Sequence, residues 1–172
     1  EQEPIGQPGL YRQLHETEFK RNEAVEFTLA HDDGVKAEEW HQADIVLLGV
    51  SRVYKTPVSV YLAMLTWKVV NVPIVLNVPP RRELFELDRR RVVGLTIEPA
   101  QLLQHRQYRQ RQLGVQGRSQ YVDPVKVYEE LEYARKIYRR GGFATIDVTD
   151  KPIETTADEV VAAVLRRLKS EA

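Results

Sequence analysis

Residues 43–64 read ADIVLLGVSRVYKTPVSVYLAM, and the fold turns on the two halves of this stretch. Residues 43–48 are a short apolar run rich in β-branched side chains, whereas 57–64 start with a proline that a first helical turn accepts and then continue apolar. The pattern is strand, loop, helix. The loop consists of Gly49, Val50, Ser51, Arg52, Val53, Tyr54, Lys55 and Thr56. Gly49, Lys55 and Thr56 stand where the phosphate-binding sequence G-x-x-x-x-G-K-[ST] needs its first glycine, its lysine and its magnesium-binding hydroxyl. Tyr54 stands where the second glycine belongs. That departure matters because glycine lets backbone N–H groups approach phosphate with no side chain in the way.

Outward from this loop, residues 10–22 carry Leu10, Leu14 and Phe19 at roughly helical spacing, and 24–30 alternate Val25, Phe27 and Leu29 with polar partners as a strand does. That strand would deliver His31, Asp32, Asp33 and Gly34 at its carboxyl end, where parallel α/β sheets bind ligands. By spacing alone Asp-Asp-Gly is turn chemistry. After the loop, 56–66 read as a helix and 69–76 as a strand that Pro73 marks as short or at an edge. Residues 81–88 read as a brief helix, 92–97 as a buried strand, and 99–113 as a helix bearing His105, Arg106, Arg109 and Arg111. Residues 114–120 read as a mobile loop. Asp123 then caps a helix that Pro124 opens and Gly141-Gly142 stops, with Tyr128, Leu131, Tyr133, Ile137 and Tyr138 as its packing stripe. Residues 144–148 are a last strand, and 154–169 a final amphipathic helix facing inward with Val160, Val161, Val164, Leu165 and Leu168. Thr149 caps a turn, and Asp147 is either structural or near the site.

A chain of 172 residues with 42% hydrophobic composition supports one substantial core, most simply a single α/β domain. With the loop at 49–56, the expected fold is a mostly parallel sheet flanked by helices, of phosphate-loop kinase type. Lysine plus arginine balance aspartate plus glutamate at 25 each, so no global field attracts nucleic acid or an anionic membrane and any phosphate site is local. Cysteine is absent, which removes thiolate catalysis, disulfides and cysteine metal sites and fits a reducing compartment. No apolar run approaches the ~20 residues that span a bilayer, and no signal-peptide pattern opens the chain.

Several separated motifs carry a resemblance. Gly49-Val50-Ser51-Arg52, Lys55-Thr56-Pro57, Ser59 and Tyr61-Leu62-Ala63 resemble the signature of the bifunctional regulatory proteins of pyruvate, phosphate dikinase and of phosphoenolpyruvate synthetase. Matches in the same order are His31-Asp32-Asp33-Gly34, Asn71-Val72-Pro73, Gly94-Leu95-Thr96-Ile97, Arg106 with Arg109, Ile146-Asp147-Val148-Thr149, Ile153-Glu154 and Thr156-Ala157. They cover nearly the whole chain from Pro8 onward and lean toward the dikinase type. Within this pattern Tyr54 and Val53 depart from the usual small or hydroxyl residues, and His105 replaces a usually apolar one; His105 reads as a surface or capping histidine.

The resemblance implies a cytoplasmic regulatory serine/threonine kinase that transfers the β-phosphoryl group of ADP to a threonine of the dikinase, or of the synthetase. It also implies the reverse step, in which inorganic phosphate removes that group as pyrophosphate. The cofactors implied are ADP, inorganic phosphate and Mg2+, and a homodimer is compatible with it. Residues 49–56 would hold the phosphates, Lys55 would stabilise their charge, Thr56 would bind the metal, and Asp32 or Asp33 would act as general base or hold magnesium through its waters. Arg106 and Arg109, three apart on one helical face, would clamp the phosphoryl group, the alternative being a solvated basic face. On either reading, replacing them is expected to leave the fold intact. Residues 1–9 are expected to be a linker from a preceding region, and 10–172 the domain. Two other classes stay open from the residues themselves: a nucleotide-binding regulatory domain that has lost catalysis, motivated by Tyr54, and a small-molecule kinase that prefers ATP.

Overall fold

Four apolar runs become the strands β1 (Ile45–Gly49), β2 (Val69–Pro73), β3 (Val92–Thr96) and β4 (Ala144–Asp147) of a computed structural model that describes residues 9, 11, 13, 15–114 and 119–170. They form one sheet in the order β2-β1-β3-β4, and every pairing is parallel. In β1 all five residues are buried, which is why its sequence is continuously apolar instead of alternating. Each leucine taken out of water there contributes about 1.5–3 kcal/mol. The β2 strand is an edge strand, and its last residue, Pro73, pairs with Gly49; proline is tolerated at an edge because no further ladder bond is required of it.

The helices are α1 (Glu16–Ala30), α2 (Lys55–Met64), α3 (Glu83–Glu86), α4 (Pro99–Gln112), α5 (Pro124–Gly141) and α6 (Ile153–Ser170). The α2 helix packs on α1 and α6, and α4 packs on α5, so two groups of helices flank the sheet. Asp123 caps α5 by accepting the N–H groups of Val125 and Lys126, and Gly142 ends it in the left-handed region. Gly94 leaves room for Tyr138 of α5, whose ring lies 2.6 Å from where a Cβ would stand and whose hydroxyl donates to Leu95 O at 2.9 Å. Asp147 is structural: its carboxylate accepts the Thr149 N–H at 2.8 Å, while Thr149 Oγ1 accepts the Glu98 N–H.

One expected strand is a helix. Residues 24–30 continue α1, because Ala24 and Thr28, four apart, are the positions that become buried, while Leu29 stays 61% exposed. The alternation of Val25, Phe27 and Leu29 has no partner strand behind it. Instead the carboxyl end of α1 covers the free edge of β2: the Val69 N–H donates to Thr28 Oγ1 at 3.0 Å and the Asn71 N–H to His31 O at 3.4 Å. Two inward assignments also change, since Leu165 and Tyr128 are exposed. Residues 1–8, 10, 12 and 14, which include most of the expected linker and the leucines of the first expected helix, lie outside the described residues, as do 115–118 of the expected loop.

Among the described residues no helix is long and apolar enough to cross a membrane. The chain leaves β1 toward β2 but leaves β3 toward β4, so the loops diverge at the carboxyl ends of these adjacent strands. Such a divergence opens a crevice in a parallel sheet.

Candidate phosphate-binding site

The loop after β1 sits at that crevice. Gly49 is required by packing: a Cβ there would stand 2.5 Å from Val53 Cγ2. Val50 and Val53 turn into the core, so the loop is held from beneath by apolar contacts, and Arg52 and Tyr54 take left-handed backbone angles (φ 72° and 63°). The Tyr54 angle is one that glycine adopts freely and that a tyrosine holds at a steric cost of about 1–2 kcal/mol. No side chain caps α2, which begins at Lys55, so its first N–H groups remain available to an anion at the mouth of the loop. Asp33, Ser51, Arg52, Tyr54, Thr56 and His105 are among the residues lining a cleft of about 570 Å³ there.

Lys55 is 7% exposed, and its Nζ donates to Val50 O at 2.8 Å. Burial pulls its pKa down to about 8, against the opposing pull of Asp33 and Asp32 and with help from Arg106 and Arg52. An anion in the cleft would push that pKa back up by favouring the charged form.

Across the loop, Thr56 Oγ1 donates to both oxygens of Asp32, at 3.2 and 3.3 Å. Asn71 of β2 joins them: its Nδ2 donates to Asp32 Oδ1 at 2.5 Å and to Thr56 Oγ1 at 3.0 Å, while its Oδ1 is buried with no hydrogen-bond partner. Sequence reasoning had Asn71 in a motif but gave it no role; its place became visible once β2 was paired beside β1. Asp33, by contrast, takes a left-handed angle (φ 57°) and is exposed at the cleft. The turn and the site are therefore one feature. Behind them His31 is buried between two acceptors, Phe27 O at 2.6 Å and Glu39 Oε2 at 2.9 Å, which anchors the segment.

The two arginines part company. Arg106 is 1% exposed and spends its guanidinium on Glu130 (3.0 and 2.6 Å), Ser51 O (3.4 and 3.2 Å) and Tyr121 O (3.3 Å). It is neither a solvated face nor, in this arrangement, a phosphate clamp; it ties the loop to α5. Arg109 is half-buried beside a smaller hollow that it shares with Arg52, Leu113 and Tyr121, and its Nε is buried without a partner. Glu130, which decides the fate of Arg106, carried no signal in the sequence.

His105 is no bystander on the surface. It lines the cleft, its Nε2 is joined to the Tyr54 hydroxyl by a 3.1 Å hydrogen bond, and the two rings meet nearly at right angles with centroids 5.1 Å apart. The tyrosine side chain thus reaches to α4.

Among the described residues no cluster of three or more His, Cys, Asp or Glu could hold a metal ion. Thr56 Oγ1 and the Asp32 carboxylate, held together at the mouth of the loop, still fit Mg2+, which takes one or two protein oxygens and fills its shell with waters and substrate phosphates.

Residues 1–161 match the family model described as kinase/pyrophosphorylase. The chain is 52% identical over 165 residues to a protein of Chloroflexus aurantiacus provisionally named pyruvate, phosphate dikinase regulatory protein, an alignment covering 96% of this chain and 59% of that one. Proteins given the same provisional name are similar in Desulfotalea psychrophila, at 46% over 169 residues (98% and 60% of the two chains), and in Erythrobacter litoralis, at 47% over 160 residues (93% and 58%). The chain spans less than two thirds of the length of these relatives.

Proposed function

The chain belongs to the kinase/pyrophosphorylase family, and on that premise we propose that it is the phosphate-handling part of a regulatory protein kinase. It transfers the β-phosphoryl group of ADP to a threonine of pyruvate, phosphate dikinase and removes it again with inorganic phosphate. The observation that carries this reading is the loop itself: Lys55 and the uncapped start of α2 face the cleft into which Asp33 also opens. One oxyanion cradle serves both directions, because each reaction passes through a phosphoryl group shared between two oxygens.

In the forward direction the threonine oxygen attacks the β-phosphorus, the bond to the bridging oxygen breaks, AMP departs, and the threonine proton passes to Asp33. Asp33 suits that role because it is exposed at the cleft, whereas both oxygens of Asp32 are already engaged with Thr56. In reverse an oxygen of inorganic phosphate attacks the phosphothreonine, the phosphorus–threonine bond breaks, the threonine oxygen recovers the proton, and pyrophosphate departs. Lys55 balances the charge that develops on the phosphoryl oxygens in both steps. Thr56 and Asp32, both oriented by the Asn71 amide N–H groups, would hold magnesium, which when bound supplies charge neutralisation on the phosphates. Arg106 positions the loop, and Arg109 with Arg52 offers guanidinium donors at its flank.

The names of the relatives favour the dikinase over the synthetase as target. A scaffold without catalysis is disfavoured by the course of Tyr54, whose side chain runs to His105. The test is to incubate the chain, in parallel with a full-length relative, with Mg2+, ADP and purified dikinase or synthetase, and to locate phosphothreonine by mass spectrometry. Adding phosphate should then release pyrophosphate. Absence of phosphothreonine on either target with the full-length relative active would reduce this chain to a binding domain.

A further inference from the structure

The two residues that depart from the expected pattern, Tyr54 in the loop and His105 in α4, touch each other although 51 positions apart. On its own the tyrosine reads as damage to a phosphate loop and the histidine as a surface or capping residue. Together they build a corner of two π faces, at 72° to one another, in the wall of the cleft.

The position of this corner follows from the sheet. The loop leaves β1; on one side of it stands β2, with Pro73 and the Asp32–Asn71 cluster, and on the other stands β3, followed by α4 with His105. Phosphoryl transfer keeps the attacking and departing oxygens roughly in line. If the carboxylates on the β2 side receive the acceptor hydroxyl, the departing group must leave toward the β3 side, where Tyr54 and His105 stand. The cleft, at about 570 Å³, is also larger than a lone phosphate needs and lies within the range of small-molecule sites. Flat aromatic faces at the departing end suit a nucleobase, since every base presents a π face of its own.

We propose that Tyr54 and His105 form the nucleoside subsite of this cleft, stacking the base of the nucleoside diphosphate whose phosphates occupy residues 49–56. This rests on the phosphoryl-transfer reading above and adds to it a binding surface made by the ring of one loop residue and by a residue of α4 outside the phosphate motif. The hydrogen bond between the rings locks the corner before the ligand arrives, which lowers the entropy lost on binding. The left-handed angle at Tyr54 goes with a ring that reaches His105 of α4, a strained conformation at the proposed subsite.

The experiment is calorimetric titration of wild type, Tyr54→Phe, Tyr54→Ser and His105→Ala with ADP and, separately, with pyrophosphate, each with Mg2+. Pyrophosphate reads the cradle alone. Tyr54→Ser and His105→Ala should weaken ADP roughly tenfold, the scale of one lost base–aromatic stack, while pyrophosphate changes by no more than about twofold. Tyr54→Phe, which keeps the ring but loses the hydrogen bond to His105, should weaken ADP less than Tyr54→Ser does. Equal loss for ADP and pyrophosphate would overturn the subsite and leave the pair as a brace for the loop. Unchanged ADP binding in both truncated variants would overturn it as well, as would a wild type that binds pyrophosphate but not ADP. Binding of neither compound by wild type would overturn the phosphoryl-transfer reading itself.

Discussion

Arg106 Nη2 lies 2.6 Å from Glu130 Oε2, and the same guanidinium nitrogen donates to the carbonyl of Ser51 in the phosphate loop. A single buried cation therefore joins the helix after β3 to the helix before β4 and to the site. Removing one partner of such a pair leaves the other charge buried and unanswered. Arg106→Ala and Glu130→Ala should each cost about 3–5 kcal/mol in urea unfolding, in contrast to the small effect expected of an exposed helical position. Arg106→Lys should recover little, because an ammonium cannot bridge the carboxylate and Ser51 as the fork does. Stability within error of wild type in both alanine variants would return Arg106 to a surface role.

Tyr54 holds a left-handed angle that glycine adopts freely and alanine does not. Comparing Tyr54→Gly with Tyr54→Ala removes the ring in both and isolates the backbone. The glycine variant should be the more stable of the two by about 1 kcal/mol in thermal or urea unfolding. An alanine variant as stable as the glycine variant would mean that the loop relaxes out of this angle once the ring is gone.

Lys55 gives a pH dependence whose sign is set by burial. Its pKa falls from 10.5 to about 8 in the folded protein. Between those values the unfolded chain binds the extra proton, so this group makes stability rise with pH across that window; below it the buried charge costs up to about 3 kcal/mol. Lys55→Met should be more stable than wild type at neutral pH, with the gap closing as pH climbs from about 8 to 10.5, as read from urea midpoints. Phosphate or ADP, by restoring the ammonium, should take up protons near pH 8, visible as a buffer-dependent binding enthalpy; no uptake would place the anion away from Lys55.

Asp32 and Thr56 share a hydrogen bond that a divalent cation would replace with coordination. Asp32→Asn keeps the shape and removes the charge. Mg2+ should then cease to strengthen ADP binding while metal-free binding changes little, measured by titration with and without chelator. Equal loss under both conditions would assign Asp32 to shaping the loop. Asn71→Leu should also cost stability, since it strips hydrogen bonds from a buried cluster.

The sequence by itself determined the strands whose apolar runs are buried on both faces, β1 and β3, and the caps that local chemistry dictates, Asp123 and Gly142 around α5. It also determined the loop, because the spacing from Gly49 to Lys55 and Thr56 is a property of one short segment. Local pattern failed at residues 24–30, where alternation resembled a strand but Ala24 and Thr28 had a helical neighbour to bury against. It failed again at Arg106 and Arg109, which share a helical face yet diverge because Glu130 reaches one of them. Tyr54 reads locally as a damaged loop and His105 as a surface or capping histidine, and only the fold brings α4 and the loop together. Tertiary structure decided these because burial and pairing join residues far apart in the chain, and no local period records which partner will be there.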